Sequence, residues 1–113
     1  MNQLTTHVLN TSLGRPAANV PVILETQTAD GGWKELGRGS TDSDGRVKDF
    51  ATGKPFEAGT YRLTFDTRGY FAAQKIDGFY PQVVIMFEVK NPREHYHVPL
   101  LLSPYGYSTY RGS

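Results

Sequence analysis

The sequence has 113 residues, no cysteine, and 12 basic residues against 11 acidic ones, which gives a net charge of +1. This length predicts a single domain over residues 1–113, and the lack of cysteine excludes disulfide bonds. So balanced a charge does not suggest a nucleic-acid or membrane-surface partner. No apolar run approaches the roughly 18 residues of a membrane span, and residues 1–7 lack the pattern of a signal peptide, so we expect a cytoplasmic protein.

Alternation of apolar and polar residues predicts β-strands along most of the chain. In chain order, the alternating runs are residues 20–26, 61–66, 83–89 and 95–102. Turns rich in glycine, proline and aspartate separate these runs, and short strands between such turns predict an all-β fold, an antiparallel sandwich or barrel. Helix-forming residues cluster over residues 66–76, which predicts one short α-helix.

The last predicted strand has the most informative alternation. One of its faces carries two histidines, a proline and a leucine: His95, His97, Pro99 and Leu101. The alternate residues, from Tyr96 to Leu102, are aromatic or aliphatic and are predicted to face the core. A sandwich normally turns its other face to solvent, so a half-apolar outer face indicates a covered surface, most easily covered by another copy of the chain.

Few side chains could carry chemistry. The chain has three histidines, His7, His95 and His97, and a histidine can exchange protons near neutral pH. Taken one at a time, the residues favour the interpretation of each as a polar strand residue over a catalytic one. No spacing among them resembles a pair of metal ligands, so we expect no metal site.

Residues 42–46 read Asp-Ser-Asp-Gly-Arg, which resembles the opening of a calcium-binding loop. The glutamate that would close such a loop is missing, since position 53 is glycine, so the pattern favours an ordinary turn between strands. Arg46, directly after the turn, can bind a planar anionic ligand through paired donors, or it can be a solvated surface arginine.

Four segments have sequences that one known family shares: residues 4–10 (LTTHVLN), 42–46 (DSDGR), 59–63 (GTYRL) and 95–104 (HYHVPLLLSP). After a run of aromatic residues, positions 110–113 read Tyr-Arg-Gly-Ser, a segment that we expect to be docked rather than loose. By these segments the sequence resembles the transthyretin family over nearly its whole length. The Tyr-Arg-Gly-Ser ending resembles the 5-hydroxyisourate hydrolases of that family rather than its hormone carrier, which changes this ending.

The resemblance implies a transthyretin-like antiparallel β-sandwich with one short helix, assembled as a homotetramer with active sites where subunits meet. It also implies hydrolysis of 5-hydroxyisourate to 2-oxo-4-hydroxy-4-carboxy-5-ureidoimidazoline, by attack of water on a ring carbonyl and without a cofactor. The residues that it places in catalysis are His7, Arg46, His97 and Ser113. The residues that it places against the substrate are Arg46, Tyr110, Arg111 and Ser113.

Two other functions stay open. A carrier on the same fold would bind an aromatic ligand in a central channel and would need no ionisable cluster, so His7, Arg46 and His97 together argue against it. An adhesion or accessory module would normally carry linkers or a signal sequence. His95 matches no catalytic position of the family and keeps its interpretation as a polar strand residue.

Overall fold

The computed structural model describes residues 4–50, 52 and 56–112. In chain order, its strands and helix are β1 (Leu4–Asn10), β2 (Arg15–Pro16), β3 (Pro21–Gln27), β4 (Trp33–Ser40), β5 (Arg46–Val47), β6 (Gly59–Phe65), α1 (Thr67–Ala73), β7 (Val83–Val89), β8 (Tyr96–Ser103) and β9 (Gly106–Thr109). The four alternating runs of the sequence correspond to β3, β6, β7 and β8, and the predicted helix corresponds to α1. These predictions are confirmed.

The strands form two sheets that enclose one core. One sheet has the order β2-β1-β8-β9, with β5 also paired to β1, and the other has the order β4-β3-β6-β7. The core draws on both sheets, and its largest fully buried side chains are Phe65, Leu24, Leu63, Leu100 and Leu102. The predicted β-sandwich with one short helix is therefore confirmed.

Burial alternates along the strands because successive side chains point to opposite faces of a sheet. In β8, Tyr96 and Val98 are buried, whereas His97 between them is half-buried and lies on the outer face. Pro99, which shares the face of His97, is buried within the single chain. Part of the outer face is thus covered before any second chain is added.

One pairing differs from the predicted antiparallel arrangement. β1 and β8 run parallel, with Leu4 opposite Tyr96 and Asn10 opposite Leu102, whereas the other strand pairs among the described residues are antiparallel. These two strands lie near opposite ends of the sequence. Their relative direction depends on how the chain crosses between sheets, which alternation within either strand does not record.

The helix α1 has a clear beginning and end. The Asp66 carboxylate accepts a hydrogen bond from the backbone N–H of Gly69 at 3.0 Å, which caps the first turn. Phe71 packs into the core, and the chain leaves the helix through Lys75, which has a left-handed φ of 58°. With 7 residues α1 is too short to cross a membrane. No other helix long enough to do so occurs in the part of the chain that the structure describes.

Candidate active site

Three of the predicted site residues lie on the outer face of the sheet that contains β1 and β8. His7 of β1 is opposite Arg46 of β5, and Thr5 of β1 is opposite His97 of β8. Paired residues share a face, and so do residues two apart on one strand, so His7, Arg46 and His97 lie on the same face. The two histidines are half-buried and the arginine is exposed, which leaves all three accessible to a ligand.

Arg46 is placed by the tight turn that precedes β5. The Asp42 carboxylate accepts hydrogen bonds from the backbone N–H groups of Asp44 at 2.9 Å and Arg46 at 3.0 Å. Gly45 has a φ of 76°, its carbonyl accepts a hydrogen bond from the Val8 N–H at 2.7 Å, and a Cβ there would lie 2.4 Å from the Val8 oxygen. Glycine is required at this point, because the turn packs directly on β1. The predicted turn is confirmed.

The imidazole of His97 lies among groups that disfavour its protonation. Burial is the largest cause, and the charges of Arg46, His7 and His95 add to it, so the pKa of His97 lies below the ordinary 6.5. Thr5 Oγ1 lies 2.8 Å from the Nδ1 of this imidazole. His97 is therefore neutral at neutral pH, and one of its ring nitrogens can accept a proton.

The backbone of Gly112 lies against His97. The Gly112 N–H donates a hydrogen bond to the His97 carbonyl at 2.8 Å, which forms an isolated antiparallel bridge. A Cβ on Gly112 would lie 2.5 Å from His97 Cδ2, so the chain can pass the imidazole at this distance because it has no side chain there. Ser113, the next site residue that the sequence indicates, lies outside the described residues.

The structure does not bring the Arg111 guanidinium to His97. Its Nη2 lies 2.9 Å from Glu94 Oε1, and its Cζ lies 4.6 Å from the centroid of the Tyr96 ring. Tyr96 and His97 are neighbours on a strand and point to opposite faces, so the guanidinium lies on the other side of β8 from the imidazole. Tyr110 is 57% exposed and, with Arg111, lines a groove of about 250 Å³ beside β7.

Two residues beyond the predicted set belong to the cluster, namely Thr5 and Gly112. Thr5 Oγ1 contacts His97 Nδ1 at 2.8 Å and His95 Nε2 at 3.2 Å. Alternation along β1 is enough to place Thr5 on the face of His7. Its position opposite His97 follows from the parallel β1–β8 pairing, for which the sequence has no local signal. The contact of Gly112 with His97 likewise has no local signal.

The fold and the cluster define a class of protein, a small β-sandwich with histidines and an arginine gathered on the outer face of one sheet. The chain belongs to the HIUase/Transthyretin family, whose model matches residues 4–112.

Relatives of this chain include an enzyme and a protein that binds thyroxine. The chain is 49% identical to the 5-hydroxyisourate hydrolase of Salmonella dublin over 112 residues, which cover 99% of this chain and 82% of that protein. The structure of the Klebsiella pneumoniae 5-hydroxyisourate hydrolase matches with a TM-score of 0.86 and 35% identity over 100% of both chains. Sea bream transthyretin in complex with thyroxine matches with a TM-score of 0.90 and 35% identity, covering 97% of this chain and 94% of that one. The fold therefore does not separate the two functions, and the residues of the site must do so.

Proposed function

We propose that this chain is a 5-hydroxyisourate hydrolase, which opens a ring of its substrate with water. The observation that carries the proposal is that His7, Arg46 and His97 lie on the same outer face of one sheet. A histidine with a lowered pKa supplies a base, and an arginine supplies donors for an oxyanion. The name of the Salmonella relative, at 49% identity over nearly the full chain, supports the same reaction.

The proposed mechanism divides the reaction between a base and an anion-binding group. The attacking water must lose a proton, and the leaving ring nitrogen must gain one. His97 and His7 act as the pair that activates water, with the neutral imidazole of His97 able to accept a proton. Arg46 binds the substrate oxygens and stabilises the negative charge that develops on the carbonyl oxygen.

The segment after β9 is proposed to close the site. Gly112 lies against His97, and the proposed task of Ser113, the next residue, is to orient substrate or water through its hydroxyl. Tyr110 and Arg111 are proposed substrate contacts. The Arg111 guanidinium lies on the far side of β8 from His97, so its proposed contact with substrate is in a site completed by a second chain.

A homotetramer with sites between subunits is part of the proposal. Large apolar side chains are exposed on the single chain, among them Phe79 at 68%, Met86 at 61% and Tyr110 at 57%. Large apolar side chains that are this exposed support contact with further copies of the chain. The cytoplasmic location stays a prediction.

The decay of freshly prepared 5-hydroxyisourate, followed by its ultraviolet absorbance with and without the protein, tests the proposed function. We expect decay much faster than the spontaneous reaction. A well-folded protein that leaves the spontaneous rate unchanged would contradict the hydrolase. Binding of thyroxine, the ligand of the sea bream structure, would then favour a carrier.

Gly112→Ala is expected to lower kcat by about tenfold or more, because small displacements of a catalytic group are costly. The new Cβ would lie 2.5 Å from His97 Cδ2, so either the imidazole or the terminal segment must move. Gly106→Ala is the matched control, since its Cβ would meet only Ser103 Oγ, at 3.7 Å. Initial rates at saturating substrate measure both variants. Equal rates would show that the close approach of Gly112 to His97 does not matter for turnover.

The pH dependence is expected to follow the lowered pKa of His97. As the pH decreases, kcat/KM should fall with a midpoint below the ordinary 6.5, because the base form persists to lower pH. The unfolded chain binds a proton in this window that the folded chain does not. The free energy of unfolding should therefore also fall as the pH decreases from 6.5 towards the folded-state pKa, and less so in His97→Ala. A rate profile between about pH 5 and pH 8 measures the midpoint, and a midpoint at or above 6.5 would contradict the assignment.

A further inference from the structure

The hydroxyl group of Thr5 joins His97 to a second histidine, His95. Its Oγ1 lies 2.8 Å from His97 Nδ1 and 3.2 Å from His95 Nε2. Thr5 is half-buried on β1 directly opposite His97. His95 is exposed and lies directly before the first residue of β8. Neither Thr5 nor His95 takes part in the hydrolysis as proposed above.

The two hydrogen bonds of this hydroxyl are coupled, because it has one proton to donate. If Oγ1 accepts a hydrogen bond from Nδ1–H of His97, its own proton is free to point to His95 Nε2, and the Nε2 of His97 keeps a lone pair. If the proton points to His97 Nδ1 instead, the Nε2 of neutral His97 carries the hydrogen and cannot act as a base. The direction of one hydroxyl thus selects the tautomer of His97.

We propose that Thr5 is a positioning residue, which holds His97 with its hydrogen on Nδ1 and its basic Nε2 towards the substrate, while His95 accepts the Thr5 proton. This inference rests on the proposed hydrolase function, because a base needs the lone pair on the nitrogen that faces the water. A neutral histidine in the wrong tautomer cannot take that proton. His95 matters because an acceptor at Nε2 keeps the Thr5 proton turned away from His97.

The contacts of the Thr5 hydroxyl support this direction. Its Oγ1 lies within hydrogen-bond distance of two ring nitrogens, His97 Nδ1 at 2.8 Å and His95 Nε2 at 3.2 Å, and with one proton it can donate to only one of them. When that proton goes to His95, the contact with His97 is made by an Nδ1–H that donates to Oγ1. The ionisable groups that act on His97 are His7 on β1, Arg46 on β5 and His95 directly before β8, and of these His95 shares the Thr5 hydroxyl.

Long-range proton–nitrogen NMR correlations of the His97 imidazole test the tautomer without any turnover. In the wild type, neutral His97 is expected to carry its hydrogen on Nδ1. Thr5→Val keeps the branched shape of the side chain but removes the hydroxyl, and it should shift the population towards Nε2–H. Thr5→Ser keeps the hydroxyl and should restore the wild-type signature. A wild-type His97 with its hydrogen on Nε2 would overturn the inference.

Kinetics test the consequence for catalysis. Thr5→Val is expected to lower kcat by about tenfold and Thr5→Ser by no more than about twofold, the scale of one hydrogen bond to a polar group. His95→Ala should lower kcat a few-fold, because the Thr5 hydroxyl proton then loses the acceptor that turns it away from His97. A Thr5→Val enzyme with the wild-type rate, or equal losses in the valine and serine variants, would contradict the positioning role.

Failure of this inference and failure of the proposed function have different signatures. An active wild type with an unaffected Thr5→Val variant contradicts only the role of Thr5. An inactive wild type contradicts the hydrolase function and with it the catalytic purpose of the contact, even where the NMR tautomer agrees.

Discussion

Replacing His97 by alanine is expected to lower kcat by about a hundredfold to ten-thousandfold, the range found for a group that transfers a proton in the transition state. The loss follows because the variant has no imidazole with a lowered pKa to take the proton from water. KM should change less, since binding of the substrate oxygens is assigned to Arg46. Decay of 5-hydroxyisourate at saturating substrate measures the rate, and circular dichroism with light scattering checks that fold and assembly are retained.

The matched control for this variant is His95→Ala. His95 is a histidine of the same outer face and also contacts Thr5, but it does not bear on the reacting atoms. Replacing His95 by alanine should lower kcat by less than about tenfold, as expected for the loss of one hydrogen bond away from the reacting atoms. The bridge from the Gly112 N–H to the His97 carbonyl uses the backbone, so alanine at position 97 keeps it. If the two alanine variants were equally active, His97 would have no part in proton transfer.

Local patterns in the sequence predict those features of the fold that depend on local physics. Alternation in β8 separates buried Tyr96 and Val98 from His97, because a strand turns successive side chains to opposite faces. The turn before Arg46 is predictable for the same kind of reason, since an aspartate can bond its own backbone two residues on and a glycine can take the positive φ.

The neighbours of each strand could not be predicted in this way. Periodicity assigns Thr5 and His97 to outer faces, but it does not say that β1 runs parallel to β8 and places the two opposite each other. The docking of Arg111 on Tyr96 and Glu94 also depends on the path of the chain after β9. The grouping of His7 with His97 was expected from the family resemblance, not from any pattern in the residues themselves.

The site and the core of this sandwich are separate. His7, Arg46 and His97 lie on the outer face, whereas the side chains that hold the two sheets together, such as Leu63 and Leu100, are fully buried between them. Substitutions of these three site residues are therefore expected to leave the packing of the core unchanged. This separation explains how one fold can match both a hydrolase and a thyroxine-binding protein at similar identity.

Arg46→Met is expected to lower kcat/KM by about a hundredfold to a thousandfold, the cost of removing a donor that stabilises a developing oxyanion. Arg46→Lys keeps the charge but loses the planar paired donors, so we expect a smaller loss that still falls short of the wild type. Both variants should keep the turn, because Asp42 binds the backbone N–H of position 46 and not its side chain.

The pH profile separates two actions of Arg46, on the substrate and on His97. The charge of Arg46 contributes to the lowered pKa of His97, so the acid limb should move to higher pH in Arg46→Met and stay near its wild-type position in Arg46→Lys. Arg68→Met, which changes an exposed arginine of α1, should alter neither the rate nor the limb. A slow Arg46→Met enzyme whose acid limb does not move would show that Arg46 acts on the substrate and not on the pKa of His97. An Arg46→Met enzyme as fast as the wild type would contradict the assignment of Arg46 to the oxyanion.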